Sequence, residues 1–421
     1  MLTITESNLR ADREPLLHPF GFKGGQLTEL WQPIVTLTSE SGHKGTGVGV
    51  QSPLWSDANL MASLGEQGAN ELMYKFAEET VKSLSGASFG HPMELFEELY
   101  ARSSQSWFAR QGHPDVRPTY VLNALAAVDF AAWVLYARER EIYRFSDLLP
   151  GEYRSLGEQK TEAVAAVPAI AYGTDDGEIT GLLEQGCTVL KIKLGSGGDD
   201  MIDWDSRRLR HIHELTQAYL QTRPAPAEVS YYLDLNGRYA AKDDLLRLLE
   251  DADRSGSLPH VILVEEPFLD GREISVEDVP ARIAGDESIQ SESDARYYMD
   301  LGYGALALKP AAKSMSLSLK VAALAAERGV PCFCADLTAN PLLVEWTRVL
   351  AAHLRPLPGM AYGLIESNGG QNYRGWDRLV SYHPAAGAGW TRTRGGLFEL
   401  DEAFYAESGG VFRPSSYYEN R

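Results

Sequence analysis

From about residue 164 onward, short apolar runs recur at a nearly even interval. They are AVPAIAYG (166–173), CTVLKIKLG (187–195), EVSYYLDLNG (228–237), HVILVEEP (260–267), ARIAGDES (281–288), YGALALKP (303–310), GVPCFCADL (329–337) and GMAYGLIES (359–367). Segments with helical spacing lie between most of them, among them DDLLRLLEDADR (243–254) and SLKVAALAAERG (318–329). Strands of this length alternating with helices predict β/α units around a parallel sheet. Eight such units in about 200–250 residues predict a closed (β/α)₈ barrel rather than an open doubly wound sheet.

The preceding 164 residues lack this rhythm. WQPIVTLTSE (31–40) and KGTGVGVQSP (44–53) read as two strands of a hairpin joined through SGHKG. From about residue 70 to 140 the spacing turns helical, most clearly in NALAAVDFAAWVLYARERE (123–141), which has neither Gly nor Pro. The organisation expected is an α+β capping domain over 1–164, the barrel over 165–385, and a segment over 386–421 that packs back on the cap.

Composition narrows the partners. With 39 basic and 58 acidic side chains the formal charge is −19, which disfavours nucleic acid and anionic membranes as partners. Three cysteines, Cys187, Cys332 and Cys334, form neither a disulfide framework nor a zinc set, and read as buried thiols. No run of signal-peptide or membrane-span character is evident, so a cytoplasmic protein is expected.

Chemistry collects at the ends of the apolar runs, where a barrel places its active site. The second run ends in Lys191 and Lys193, the third in Asp234 and Asn236, the fourth in Glu265 and Glu266. The fifth ends in Asp286 and Glu287, the sixth in Lys309, the seventh in Asp336 and the eighth in Glu366. Alternation along a strand sends Lys191 and Lys193 one way, and Tyr232, Asp234 and Asn236 one way. It leaves open which glutamate of the fourth strand faces inward. Carboxylates converging from three adjacent strands would repel one another unless a cation joined them. Oxygen ligands without histidine point to Mg²⁺ rather than zinc. Lysines on strands two and six would then face each other across a metal-bound substrate, with pKa values lowered by the metal and by each other.

Other motifs carry bland readings. His211 and His213 lie in SRRLRHIHEL, which reads as a surface helix. HPFGFKGG (18–25) is glycine-rich but has no phosphate-loop context. Its Phe20 and Phe22 are either core aromatics beside a turn or apolar walls of a substrate site, and Trp55 in QSPLWSD (51–57) reads the same way.

The succession KIK, DLN, EEP, GDES and ALKP on successive strands resembles the enolase superfamily. Within its mandelate racemase/muconate lactonizing enzyme family, the order is similar to the muconate-lactonizing, lysine–lysine subgroup. The helix at 123–141 resembles that family's last cap helix. The resemblance implies that Asp234, Glu265 and Asp286 hold Mg²⁺, that Lys193 and Lys309 are the two bases, and that Lys191 tunes Lys193 and touches the substrate carboxylate. It places Phe20 and Phe22 in a cap loop over the substrate, with Asn236, Glu366 and Asp336 around it. Strand seven offers Asp336 where the mandelate-racemase subgroup has histidine. Strand eight offers Glu366-Ser367-Asn368 where dipeptide epimerases have two aspartates.

The activity expected is abstraction of the proton α to a carboxylate, with the enediolate stabilised by metal, in a racemase or epimerase of an amino-acid derivative. A syn-dehydratase similar to o-succinylbenzoate synthase and a cycloisomerase are the alternatives in the same class. A barrel hydrolase would carry an H-x-H pair on strand one, which AVPAIAYG lacks. A non-catalytic binding protein would have a broken constellation. The partner expected is a small-molecule carboxylate, with a homo-oligomer by analogy.

Overall fold

The computed structural model describes residues 1–419 except 104, 197, 199, 223–227 and 270. The barrel is a ring of parallel strands: Val189–Lys193, Ser230–Asp234, Val261–Glu265, Ile283–Gly285, Ala305–Leu308, Cys332–Cys334 and Gly363–Glu366 are strands two to eight. Strand one is split at Pro168 into Ala163–Val167 and Ala169–Ile170. Its first half pairs with strand eight (Val164 opposite Gly363, Val167 opposite Glu366) and its second with strand two (Ala169 opposite Lys191), which closes the ring. Proline has no N–H for the ladder, so the strand changes partner there.

The ring's interior fixes which residues reach the mouth. Ala165, Val189, Tyr232, Leu263, Ala284, Ala305, Ala307, Phe333 and Leu364 form one buried cluster inside it. By alternation, the inward residues that follow are Lys191 and Lys193, Asp234, Glu265, Asp286, Lys309 and Glu366. The inward glutamate of strand four is therefore Glu265, in line with Leu263.

The cap is built on a hairpin longer than the sequence pattern suggests. Leu2–Phe22 and Gly25–Ser39 pair antiparallel, and Lys44–Val48 adds a third strand to Gly25–Ser39. The expected glycine-rich loop at 18–25 is the tip of this hairpin, a two-residue turn with Lys23 at φ 49° and Gly24 at φ 72°. Helix Pro118–Arg140 lies across the third strand. A Cβ on Gly47 would stand 2.1 Å from the Ala127 carbonyl oxygen, so glycine there lets helix and sheet backbones touch. That helix has the length and hydropathy of a membrane span, against the expectation that no stretch comes near it. It is 94% buried within the protein and serves as the core helix of the cap.

The cap docks on the barrel through the same helix. Asp129 accepts the Ser316 amide at 3.0 Å, and the Trp133 indole donates to the Ser316 hydroxyl at 3.1 Å, at the start of helix Met315–Glu327. The tail does not return wholly to the cap. Leu397–Glu399 pairs antiparallel with Ala163–Ala165 of barrel strand one. Only beyond it does the chain reach the cap, where Arg138 donates to the Phe412 carbonyl at 3.0 Å and pairs with Glu419 at 2.7 Å. A strand edge freed by the break at Pro168 is the physical reason: its unpaired backbone groups need partners, and the tail supplies them.

All three cysteines are buried and unpaired. His211 is exposed and paired with Asp176, whereas His213 is buried against the Tyr231 hydroxyl at 2.9 Å. The helix is thus only half the surface element expected, and its histidines do not converge.

Candidate active site

At the mouth of the barrel the strand ends interlock as an ionic lattice. The Lys191 ammonium stands 2.8 Å from each of Asp234, Glu265 and Glu366 and 3.0 Å from the Tyr232 hydroxyl. Lys193 donates to Asp234 at 2.5 Å and to the Asn236 side-chain carbonyl at 3.0 Å. Lys309 bonds to Asp286 from the other side of the ring. Asp234, Glu265 and Asp286 are all 1% exposed or less.

Around these stand further groups, of which Lys313 lies outside the reach of strand parity. Lys313, at the end of the single-turn helix Pro310–Lys313, donates to the Asp286 carbonyl at 2.8 Å and stands 3.0 Å from its carboxylate. Tyr232 lies inward below Asp234 and donates to Glu265. Glu266, pointing away from the ring, accepts the Asp286 amide at 2.7 Å and the Ser288 amide at 3.0 Å, which shapes the turn after strand five. Asp336 accepts the amides of Leu337, Ala339 and Asn368, and Glu366 accepts the Asp336 amide at 2.9 Å. Both therefore hold the loops after strands seven and eight in place.

The cap completes the site. Phe20, Phe22 and Trp55 line one narrow cavity together with Lys193, Lys309, Asp336 and Glu366. Trp55 places its ring 4.5 Å from the Lys309 ammonium and its N–H 3.4 Å from Asp286. Lys193 stands 5.6 Å from the Phe22 ring centroid. The aromatics of the two motifs thus line this cavity, Phe22 and Trp55 buried and Phe20 partly so. At about 20 Å³ the cavity holds roughly one water.

Charge decides what the site can hold. Among the described residues, carboxylates of Asp234, Glu265, Glu266, Asp286, Glu287, Asp336 and Glu366 meet ammonium groups of Lys23, Lys191, Lys193, Lys309 and Lys313. That leaves two negative charges in excess when all are ionised. One buried oxygen of Glu265 has no hydrogen-bond partner. Burial and the neighbouring Asp234 push its carboxyl well above the ordinary range. As drawn together by the lysines, no three acidic, His or Cys groups among the described residues stand at coordinating distance. The donor set is nonetheless all oxygen and furnished with an unpartnered carboxylate oxygen, which fits a hard divalent cation.

The surrounding carboxylates act on the lysines in turn. Burial works to lower the pKa of Lys309, but Asp286, Glu265 and Glu287 outweigh it and hold the group above its usual value. Lys191 is likewise held well above by Asp234, Glu265 and Glu366. Both directions follow from the carboxylates packed around these two lysines.

The Enolase C-terminal domain-like family matches residues 178–362. No curated protein matches the sequence. A mandelate racemase/muconate lactonizing protein from Herpetosiphon aurantiacus superposes with a TM-score of 0.66 at 18% identity, over 95% of this chain and 96% of that one. A dipeptide epimerase from Enterococcus faecalis V583, complexed with Mg and L-Leu-L-Tyr, gives 0.63 at 19% identity over 87% and 90%. N-succinyl Arg/Lys racemase from Bacillus cereus gives 0.64 at 16% identity over 88% and 89%. These likenesses extend the shared fold over the cap as well as the barrel. The match to the Enolase C-terminal domain-like family lies within the barrel, across the strands that end in these lysines and carboxylates, and cap and barrel together share the fold of the mandelate racemase/muconate lactonizing protein.

Proposed function

We propose that the protein is a Mg²⁺-dependent racemase or epimerase that removes the proton α to the carboxylate of an N-acylated amino acid. The observation that carries this reading is that Lys193 and Lys309 line one cavity from opposite sides of Asp234, Glu265 and Asp286. Two bases on opposite faces are what a 1,1-proton transfer needs: one removes the proton and the other returns one to the far face.

Asp234, Glu265 and Asp286 would hold the metal, with Tyr232 and Lys313 fixing the orientation of the last two. The chemistry supplied by bound Mg²⁺ is neutralisation of a substrate carboxylate whose charge grows as the proton leaves. Lys191 adds a fixed positive charge at the same place. Phe20, Phe22 and Trp55 exclude water from the lysines when the hairpin is closed.

The acyl group is preferred over a free amine because strand eight offers no spare carboxylate. Glu366 already receives Lys191 and the Asp336 amide, so an α-ammonium would find no unpaired partner there.

The test is incubation with Mg²⁺ in D₂O of pooled N-acyl amino acids, dipeptides and hydroxy acids, read by mass spectrometry. A gain of about one dalton on N-acyl amino acids is expected. Loss of water from a hydroxy acid would identify a lyase of the same superfamily instead. No exchange or turnover of any carboxylate, with Mg²⁺ bound, would point to a barrel retained for binding alone.

A further inference from the structure

Behind barrel strands one and eight lies a second cavity, of about 570 Å³. It exists because strand eight is followed by the short helices Gly369–Asn372 and Trp376–Ser381 rather than by a full barrel helix. Its volume falls in the usual range for small-ligand sites.

Arg348, on helix Pro341–Ala351, lines this cavity although it is 2% exposed. One arm of its guanidinium donates to Glu345 at 2.7 Å, and the group lies 4.0 Å over the Phe398 ring. Its Nε has no hydrogen-bond partner. Among the described residues nothing bonds to the outer edge formed by Nε and Nη2. Glu345 is shared: its second claimant is His383, whose Nε2 stands 3.1 Å away while Nδ1 accepts the Ala385 amide at 3.0 Å. A buried guanidinium with one satisfied arm and an open fork is an unfinished pair.

We propose that this cavity is a ligand site separate from the barrel mouth, and that it takes a small carboxylate with a short apolar body. The carboxylate meets the open edge of Arg348 in a two-point contact, the geometry that a guanidinium fork favours. The apolar body lies against Pro168, Leu182 and Val344, which line the same space. Inorganic phosphate would satisfy the fork but leave the apolar walls uncovered.

The experiment is calorimetric titration of the full chain, loaded with Mg²⁺, with hexanoate, inorganic phosphate and hexylamine. Two variants locate the binding. Arg348→Lys keeps a cation for Glu345 but removes the fork, and Gln185→Trp fills the exposed rim of the cavity without touching Arg348. Hexanoate is expected to bind, to weaken at least about tenfold in Arg348→Lys and to be blocked in Gln185→Trp. Proton exchange at the barrel mouth should be unchanged in both. Equal hexanoate affinity in wild type and Gln185→Trp overturns the proposal, even where Arg348→Lys fails to fold. So does binding of phosphate or hexylamine but not hexanoate, and so does absence of binding at about 10 mM.

Discussion

Lys23, at the tip of the cap hairpin, forms an ion pair with Glu287 of the barrel at 2.8 Å, and both side chains are 8% exposed. The same ammonium donates to the Trp55 carbonyl at 2.9 Å. One cation thus ties the hairpin to the loop after strand five and to the aromatic wall over Lys309. The cavity behind this tie is narrow, so we expect the tie to open when a substrate enters.

Lys23→Ala leaves Glu287 buried without its cap partner. We expect KM to rise about tenfold, and the bonds flanking Phe22 to be cut faster in limited proteolysis. A variant with unchanged KM and unchanged cleavage would show that the pair does not hold the hairpin closed.

The two lysines should separate by stereochemistry. Lys193→Ala and Lys309→Ala are each expected to lose roughly 10²–10⁴-fold in racemisation. Each should still exchange the α-proton of one enantiomer, and a different one. This is read by deuterium incorporation starting from each pure enantiomer. Variants that lose exchange of both enantiomers while still folding would argue against one base per face.

Tyr232→Phe removes the phenol that donates to Glu265 and approaches Lys191. Loss of such a supporting bond lowers metal affinity by about 10–100-fold. In the wild type, Mg²⁺ at 100 times its Kd should stabilise the fold by about 2.7 kcal/mol, seen as a raised melting temperature. The variant should need correspondingly more Mg²⁺ for the same shift. A melting temperature indifferent to Mg²⁺ in the wild type would contradict the metal assignment.

Asp129 gives a pH signature remote from the active site. Burial pushes its carboxyl up to about 7, against the opposing bonds from Ser316. A carboxyl whose folded pKa exceeds its unfolded value binds its proton more tightly when folded. Stability from this residue is therefore present at low pH and is lost as pH rises from about 4 to about 7, by a few kcal/mol. Asp129→Asn should flatten that part of the profile. Denaturant melts between those limits, with the same slope in both proteins, would sink the assignment.

The barrel and the placement of its strand-end side chains were legible for one physical reason. Alternation along short strands, ending in charged residues, places Lys191, Lys193, Asp234, Asp286 and Lys309 without knowledge of any contact. It could not choose between Glu265 and Glu266, because both faces of VILVEEP are apolar; the inward cluster with Leu263 decides it. Lys313 was invisible for a different reason. A single turn of helix, not a strand, brings it beneath Asp286. The strand Leu2–Phe22 was missed because polar and apolar residues do not alternate along it, and its pairing shifts register between Pro15 and Phe20.

The pairing of Leu397–Glu399 with Ala163–Ala165 also bears on how the molecule is made. Residues more than 230 positions apart in sequence are hydrogen-bonded neighbours at the start of the ring. Such a contact closes late, since its loop entropy must be met before the pairing stabilises anything. On the ribosome, one edge of strand one stays unpaired until the stretch through Glu399 has emerged. The nascent chain meanwhile carries an unpaired strand edge, the kind of surface that chaperones shield and that aggregates when they do not.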